Sequence, residues 1–89
     1  MLKIEISKRA EKFLRKLPTK QGRQVATKIQ SLRVDPRAPD SQLLKGQDPL
    51  RRADVGEYRI IYFVDDETLR VVLVGKRNDD EVYKRLRHL

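Results

Sequence analysis

Cysteine and tryptophan are absent from this chain, and its single histidine, His88, stands one residue from the end. Without cysteine there is neither a disulfide framework nor a thiolate metal site, which suits a reducing cytoplasm. One histidine excludes a histidine pair for acid–base work, and with it the usual side chain that titrates near neutral pH. The four glycines, Gly22, Gly46, Gly56 and Gly75, are scattered singly, so no glycine-rich phosphate cradle is present. Apolar runs are short as well: MLKIEISKRAEKF holds no core of signal-peptide length, and no stretch approaches the roughly 18 apolar residues of a membrane span. A soluble, cytoplasmic protein with no membrane partner is expected.

What the chain has is charge. Its 89 residues suit one domain, 1–89, with 38% hydrophobic residues for a modest core and 38% charged residues for an ionic surface. The net charge of +8 favours a polyanionic partner, whether nucleic acid, an acidic protein or an anionic membrane. Its distribution narrows the choice of surface. Residues 1–37 carry 11 basic and 3 acidic side chains, whereas residues 38–89 carry 10 of each, so the whole excess is N-terminal.

Leu2, Ile4 and Ile6 alternate with Lys3 and Glu5, the period of a strand with one buried face. Ser7 is placed to cap a helix in which Ala10, Phe13, Leu14 and Leu17 fall on one side, and Pro18 stops it. Thr19 is placed to cap a second helix with Val25, Ile29 and Leu32 as its apolar stripe, ended by Asp35-Pro36 because the residue before proline is pushed out of the helical region. Lys8, Arg9, Lys12, Arg15 and Lys16 on the first helix, and Lys20, Arg23, Lys28 and Arg33 on the second, are left for the outer face of a helical hairpin. Such a face is either a solvated surface or a binding surface for a polyanion. Neither helix has the aromatic apolar face of a membrane-surface helix.

DPRAPDSQLLKGQDP, from Asp35 to Pro49, reads as a loop with Leu43-Leu44 anchoring it to the core. Three strands follow, Leu50 to Val55, Tyr58 to Val64 and Leu69 to Gly75, as an antiparallel meander. A two-residue turn at Gly56-Glu57 would pair Val55 with Tyr58, Asp54 with Arg59, Ala53 with Ile60 and Arg52 with Ile61. Alternation then puts Arg52, Asp54 and Arg59 on one face. Lys76 and Arg77 close the last strand. Asn78 with Glu81 three residues on starts a final helix, whose stripe is Val82, Leu86 and Leu89 with Tyr83 beside it. The order is β-α-α-β-β-β-α: an α+β domain with an antiparallel sheet packed against an N-terminal helical hairpin.

VGEYRIIY at Val55 to Tyr62 and VGKRNDDEVY at Val74 to Tyr83, in that order of elements, resemble the RelE branch of the RelE/ParE superfamily of bacterial and archaeal toxins. The resemblance covers nearly the whole chain. It implies the RelE-like microbial ribonuclease fold and the toxin of a type II toxin–antitoxin pair, neutralised in a heteromeric complex by a cognate antitoxin. For RelE-like members it implies a metal-independent endoribonuclease, without cofactor, that cleaves mRNA in the ribosomal A site. ParE-like members of the same fold instead bind DNA gyrase and need no catalytic set. A catalytically weakened RNA-binding toxin is the third reading.

Metal-free RNA cleavage uses the adjacent 2′-hydroxyl as nucleophile, so the protein must position the phosphate, stabilise added negative charge and move two protons. Arg59, Arg77 and the Arg51-Arg52 pair are suited to the first two tasks, since a guanidinium is a planar fork of donors. The resemblance implies that Arg59 contacts the scissile phosphate, that Arg77 stabilises charge or protonates the leaving group, and that Tyr83 stacks on a base or orients the nucleophile. Arg52 matches the first of two basic positions on the strand before the turn, and Lys76 precedes Arg77 as in the family's GKR form. Arg51, Lys76, Lys12, Lys16, Arg23 and Lys28 are the expected RNA contacts, the helical ones against ribosomal RNA phosphates. At the second basic position the chain carries Asp54, either an ion-pair partner that orients Arg59 or a proton acceptor for the 2′-hydroxyl. Each of these residues also has a structural reading: Arg59 as an edge partner of Asp54, Lys76 and Arg77 as solvated strand-end charges, Tyr83 as a core aromatic.

Overall fold

The structure is a computed structural model in which residues 1–78 are described. In chain order the elements are β1 (Lys3–Ile6), α1 (Lys8–Arg15), α2 (Thr19–Val34), β2 (Ser41–Leu43), β3 (Arg51–Val55), β4 (Tyr58–Asp65) and β5 (Thr68–Lys76). The final helix expected after Asn78, with Tyr83 and His88, lies outside the described residues.

Ser7 starts α1 as expected, its hydroxyl accepting from the Ala10 N–H at 3.1 Å. The same hydroxyl donates to the Val72 carbonyl at 2.5 Å, which ties the helix start to β5. At α2 the structure differs from the sequence reading: Pro18 occupies the cap position and Thr19 is the first helical residue. Proline suits that place because its ring presets the backbone angle and its missing N–H is no loss before the first turn. The Pro18 carbonyl accepts from Gly22 N at 2.9 Å, closing the turn.

The five strands form one sheet in the order β1-β5-β4-β3-β2. β3, β4 and β5 make the expected antiparallel meander, and β3 pairs with β4 in the register that a two-residue turn dictates. Two features go beyond that reading. β1 runs parallel to β5, so the sheet is mixed, and the segment expected as pure loop contributes β2, antiparallel to β3. The β1–β5 pairing depends on where the helical hairpin returns the chain, whereas β2 and β3 both follow that hairpin and pair across the short connection between them. Of the two leucines expected to anchor the loop, Leu44 is buried while Leu43 is 56% exposed.

The main core lies between helices and sheet, with Val25, Ile29 and Leu32 of α2 and Ala10 of α1 against Ala53, Tyr58, Ile60, Tyr62, Leu69, Val71 and Val74. Phe13 meets Tyr58 edge to face, ring centroids 6.1 Å apart. Tyr62 is fully buried and its hydroxyl donates to the Pro36 carbonyl at 2.5 Å, holding the loop after α2. The other face of the sheet carries a smaller cluster of Leu44, Ile61 and Leu73, with Leu50 and Val72 packed on it. A bulge makes this possible. Ile61 pairs with Leu73 but Tyr62 with Val71, so Val72 is the extra residue and the adjacent Val72 and Leu73 both join the smaller cluster.

Candidate functional site

The site is built on the β3–β4 hairpin. Gly56 in its turn has φ +56°, a backbone angle side chains rarely adopt, and a Cβ there would come within 3.1 Å of the Gln24 amide on α2. The positive φ favours glycine, and a side chain there would also have to push the Gln24 amide aside. The tight turn sets Asp54 directly opposite Arg59. Their side chains make a two-toothed ion pair, Arg59 Nε to Asp54 Oδ1 at 2.7 Å and Nη2 to Oδ2 at 3.1 Å. The guanidinium side chain is 12% exposed and the carboxylate side chain 33%.

Two further guanidinium groups attend this pair. Arg52, on the same face by alternation, donates through Nη2 to Gln42 Oε1 of β2 at 2.7 Å. Arg77, just past β5, donates its N–H to the Glu57 carbonyl at 2.9 Å and Nη1 to the Gly56 carbonyl at 3.5 Å, which lays it against the hairpin turn. Asp54 registers all three. Its carboxyl is held below the ordinary carboxylate value, first by the hydrogen bonds from Arg59 against the opposing effect of burial, then by the charges of Arg59, Arg52 and Arg77.

The structure therefore brings together Arg52, Asp54, Arg59 and Arg77. Arg51 does not join them. It pairs with Tyr62 on the face that packs against the helices, where Nη2 donates to Ser41 Oγ at 3.0 Å. The strand period that unites Arg52 with Asp54 also separates Arg51 from Arg52, and that signal was available in the sequence. Lys76 pairs with Tyr58, so alternation places it on the helix side, and it is exposed. Tyr83 lies outside the described residues.

The helical cations divide in two. Lys12 and Lys16 are exposed on α1 and at its end. Arg23 and Lys28 line a groove of about 530 Å³ between α2 and the end of β3, with Lys20, Gln24, Thr27, Ser31 and Val55. Lys28 is committed to an ion pair with Asp40, whose carboxyl it holds below the ordinary value, and its side chain is only 15% exposed. Gln42 as acceptor for Arg52 and Gln24 as neighbour of the turn had no sequence signal, because each depends on a tertiary contact.

A face of forked donors around one carboxylate can hold an oxyanion and stabilise charge that develops on it. The family of ParE toxins of the parDE type II toxin–antitoxin system matches the chain over residues 4–81. This chain belongs to that toxin family. Its fold is that of the RelE toxins within the wider RelE/ParE superfamily. The isolated E. coli RelE toxin is 27% identical, with a TM-score of 0.77 over 100% of both chains. A mutant E. coli RelE toxin in the free state is 29% identical, with a TM-score of 0.79 over 99% of this chain and 98% of that one. The RelE of an archaeal RelE–RelB complex from Pyrococcus horikoshii OT3 is 28% identical, with a TM-score of 0.75 over 85% of this chain and 94% of its own. No curated protein matches the chain. Among the described residues no helix is long and apolar enough to cross a membrane.

Proposed function

We propose that this type II toxin is a ribosome-dependent mRNA endoribonuclease that acts in the cytoplasm, cleaving by attack of the 2′-hydroxyl on the adjacent phosphate. The observation that carries the reading is the gathering of Arg52 and Arg59 around Asp54 on the face opposite the helices, with Arg77 laid against the adjoining turn. In this reaction the 2′-hydroxyl loses its proton to water as its oxygen bonds to phosphorus, the bond to the 5′-oxygen breaks, and the departing 5′-oxygen takes a proton from water, leaving a 2′,3′-cyclic phosphate. Arg59 and Arg52 hold the phosphate oxygens. Arg77, at the rim beside the turn, stabilises the charge that accumulates as the fifth bond to phosphorus forms. Guanidinium groups supply there the charge stabilisation that metal ions supply in other nucleases. Tyr83 orients the attacking hydroxyl. Asp54 serves as the partner of Arg59, because a carboxylate held below its ordinary range is a weak proton acceptor.

The exposed cations of the hairpin, Lys12, Lys16 and Arg23, dock the protein on ribosomal RNA through phosphate contacts that carry no sequence information. The partner in the resting cell is a cognate antitoxin, a reading supported by the type II family and by the RelB found with the Pyrococcus RelE. The test is purified protein on programmed ribosomes: wild type cuts mRNA at the A site, and Arg77→Ala or Tyr83→Phe reduces the cutting with the fold retained.

A second reading, inhibition of DNA gyrase, is favoured by the ParE family match. Wild type that leaves mRNA whole while halting supercoiling by gyrase refutes the nuclease reading and establishes the second.

A further inference from the structure

Three guanidinium groups serve the site, and an anion of the chain itself already occupies one of them. Arg52 is engaged by a neutral amide through one hydrogen bond, and Arg77 by a carbonyl at 3.5 Å. Arg59 alone among these three holds an ion pair through its Nε–Nη2 edge, both teeth taken by Asp54. A phosphodiester offers the same two acceptor oxygens in nearly the same planar spacing as a carboxylate, so it fits the same edge of a guanidinium. Phosphate and Asp54 therefore compete for Nε and Nη2. The register fixes Asp54 across from Arg59, so the competitor stays within reach at effectively high concentration. Its own affinity is tempered, because the carboxylate is a third exposed and water screens the pair.

We propose that Asp54 is a resident competitor for RNA phosphate: it holds Arg59 in position in the free protein and sets how tightly this face takes a phosphodiester, by yielding the Arg59 fork on binding. The proposal rests on reading the face as a phosphate site, and it assigns Asp54 a positioning and affinity-setting role. In the free protein the contact keeps a partly buried guanidinium paired. In the complex the phosphate replaces it, and the carboxylate turns toward Arg52, Arg77 or solvent. A site of this design binds loose RNA weakly and depends on contacts elsewhere, such as those of the basic helices, to bring the phosphate in.

The probe is a 2′-O-methyl RNA hexanucleotide, which lacks the nucleophile and cannot be cut, titrated into the full chain by fluorescence anisotropy at fixed salt. Asp54→Asn is expected to bind about tenfold tighter than wild type, the size of effect that one nearby charge has when partly screened. Asp54→Glu, which keeps the competitor, stays within about twofold of wild type. Asp40→Asn changes net charge equally but frees Lys28 rather than Arg59, and gains less than about threefold. In an Arg59→Ala background the gain from Asp54→Asn disappears. A gain that survives without Arg59, or one no larger than that of Asp40→Asn, overturns the proposal, as does weaker binding by a folded Asp54→Asn chain.

Should Asp54→Asn fail to fold, the wild-type protein decides: the Arg59 Nε resonance shifts on adding the hexanucleotide if the fork changes partner, and an unmoved resonance refutes the exchange. Cleavage does not enter either readout. A protein that binds through Arg59 in this way but leaves ribosomal mRNA whole overturns the nuclease reading and upholds the competition, and the converse pair of results does the reverse.

Discussion

Asp54→Asn should lower the stability of the folded chain at neutral pH even as it releases the Nε–Nη2 edge of Arg59. A two-toothed charge-assisted pair is worth about 1.5–3 kcal/mol when well shielded. With the carboxylate 33% exposed, screening brings the expected loss down to about 1 kcal/mol. For a domain of this size that is a fall of about 4–8 °C in melting temperature. The pH dependence follows from the direction of the Asp54 shift. The Arg59 hydrogen bonds hold its folded pKa below the ordinary carboxylate value, so the pair contributes fully above that value and is lost as pH falls through the folded pKa. Thermal unfolding followed by circular dichroism at about pH 7 and again at about pH 2 should show the variant less stable at the first and the two chains converging at the second. Asp40 is present in both chains, so its own titration cancels. Equal stability at neutral pH, or a gap that persists undiminished in acid, would refute the account of the pair as a partly screened structural contact.

Ser7→Ala removes both the cap on α1 and the hydroxyl donated to Val72, and should cost about 1–2 kcal/mol in urea unfolding; a smaller loss than that of an exposed serine control argues against the coupled role. Ile61→Ala opens a void beneath the site face among Leu44 and Leu73, with an expected loss of about 2–5 kcal/mol by the same measurement. Gly56→Ala, forced into a positive φ against Gln24, should destabilise by about 1 kcal/mol or more, and adding Gln24→Ala should recover only the steric share of that loss.

The face of the hairpin was legible before any coordinates because it depends on short-range geometry. A two-residue turn leaves one register for the strands on either side of it, and alternation along a strand admits no choice of face, so Arg52, Asp54 and Arg59 were bound to fall together. The same rule sets Arg51 apart from Arg52, on the face with Tyr62. Ser7, Ala10, Val25, Ile29 and Leu32 were readable for a like reason, since caps and helical stripes lie within a few residues of one another.

What the sequence by itself determined, then, is the α+β order, the helical hairpin and its charge, the hairpin register, and the placing of one acid opposite one arginine in an apolar strand. Only the tertiary structure decided that β1 joins β5 in parallel, that Ser41–Leu43 forms an edge strand bringing Gln42 to Arg52, and that Val72 bulges so that Ser7 finds its carbonyl. It also decided that Arg77 comes to rest against the turn at Gly56. These contacts join residues 10 to 65 positions apart: those of β1 and Ser7 with β5 depend on how the packed helices return the chain to the sheet, and those of Gln42 and Arg77 on how the later strands line up. Sequence spacing carries no record of that return, whereas turns, caps and alternation are settled within a few peptide units.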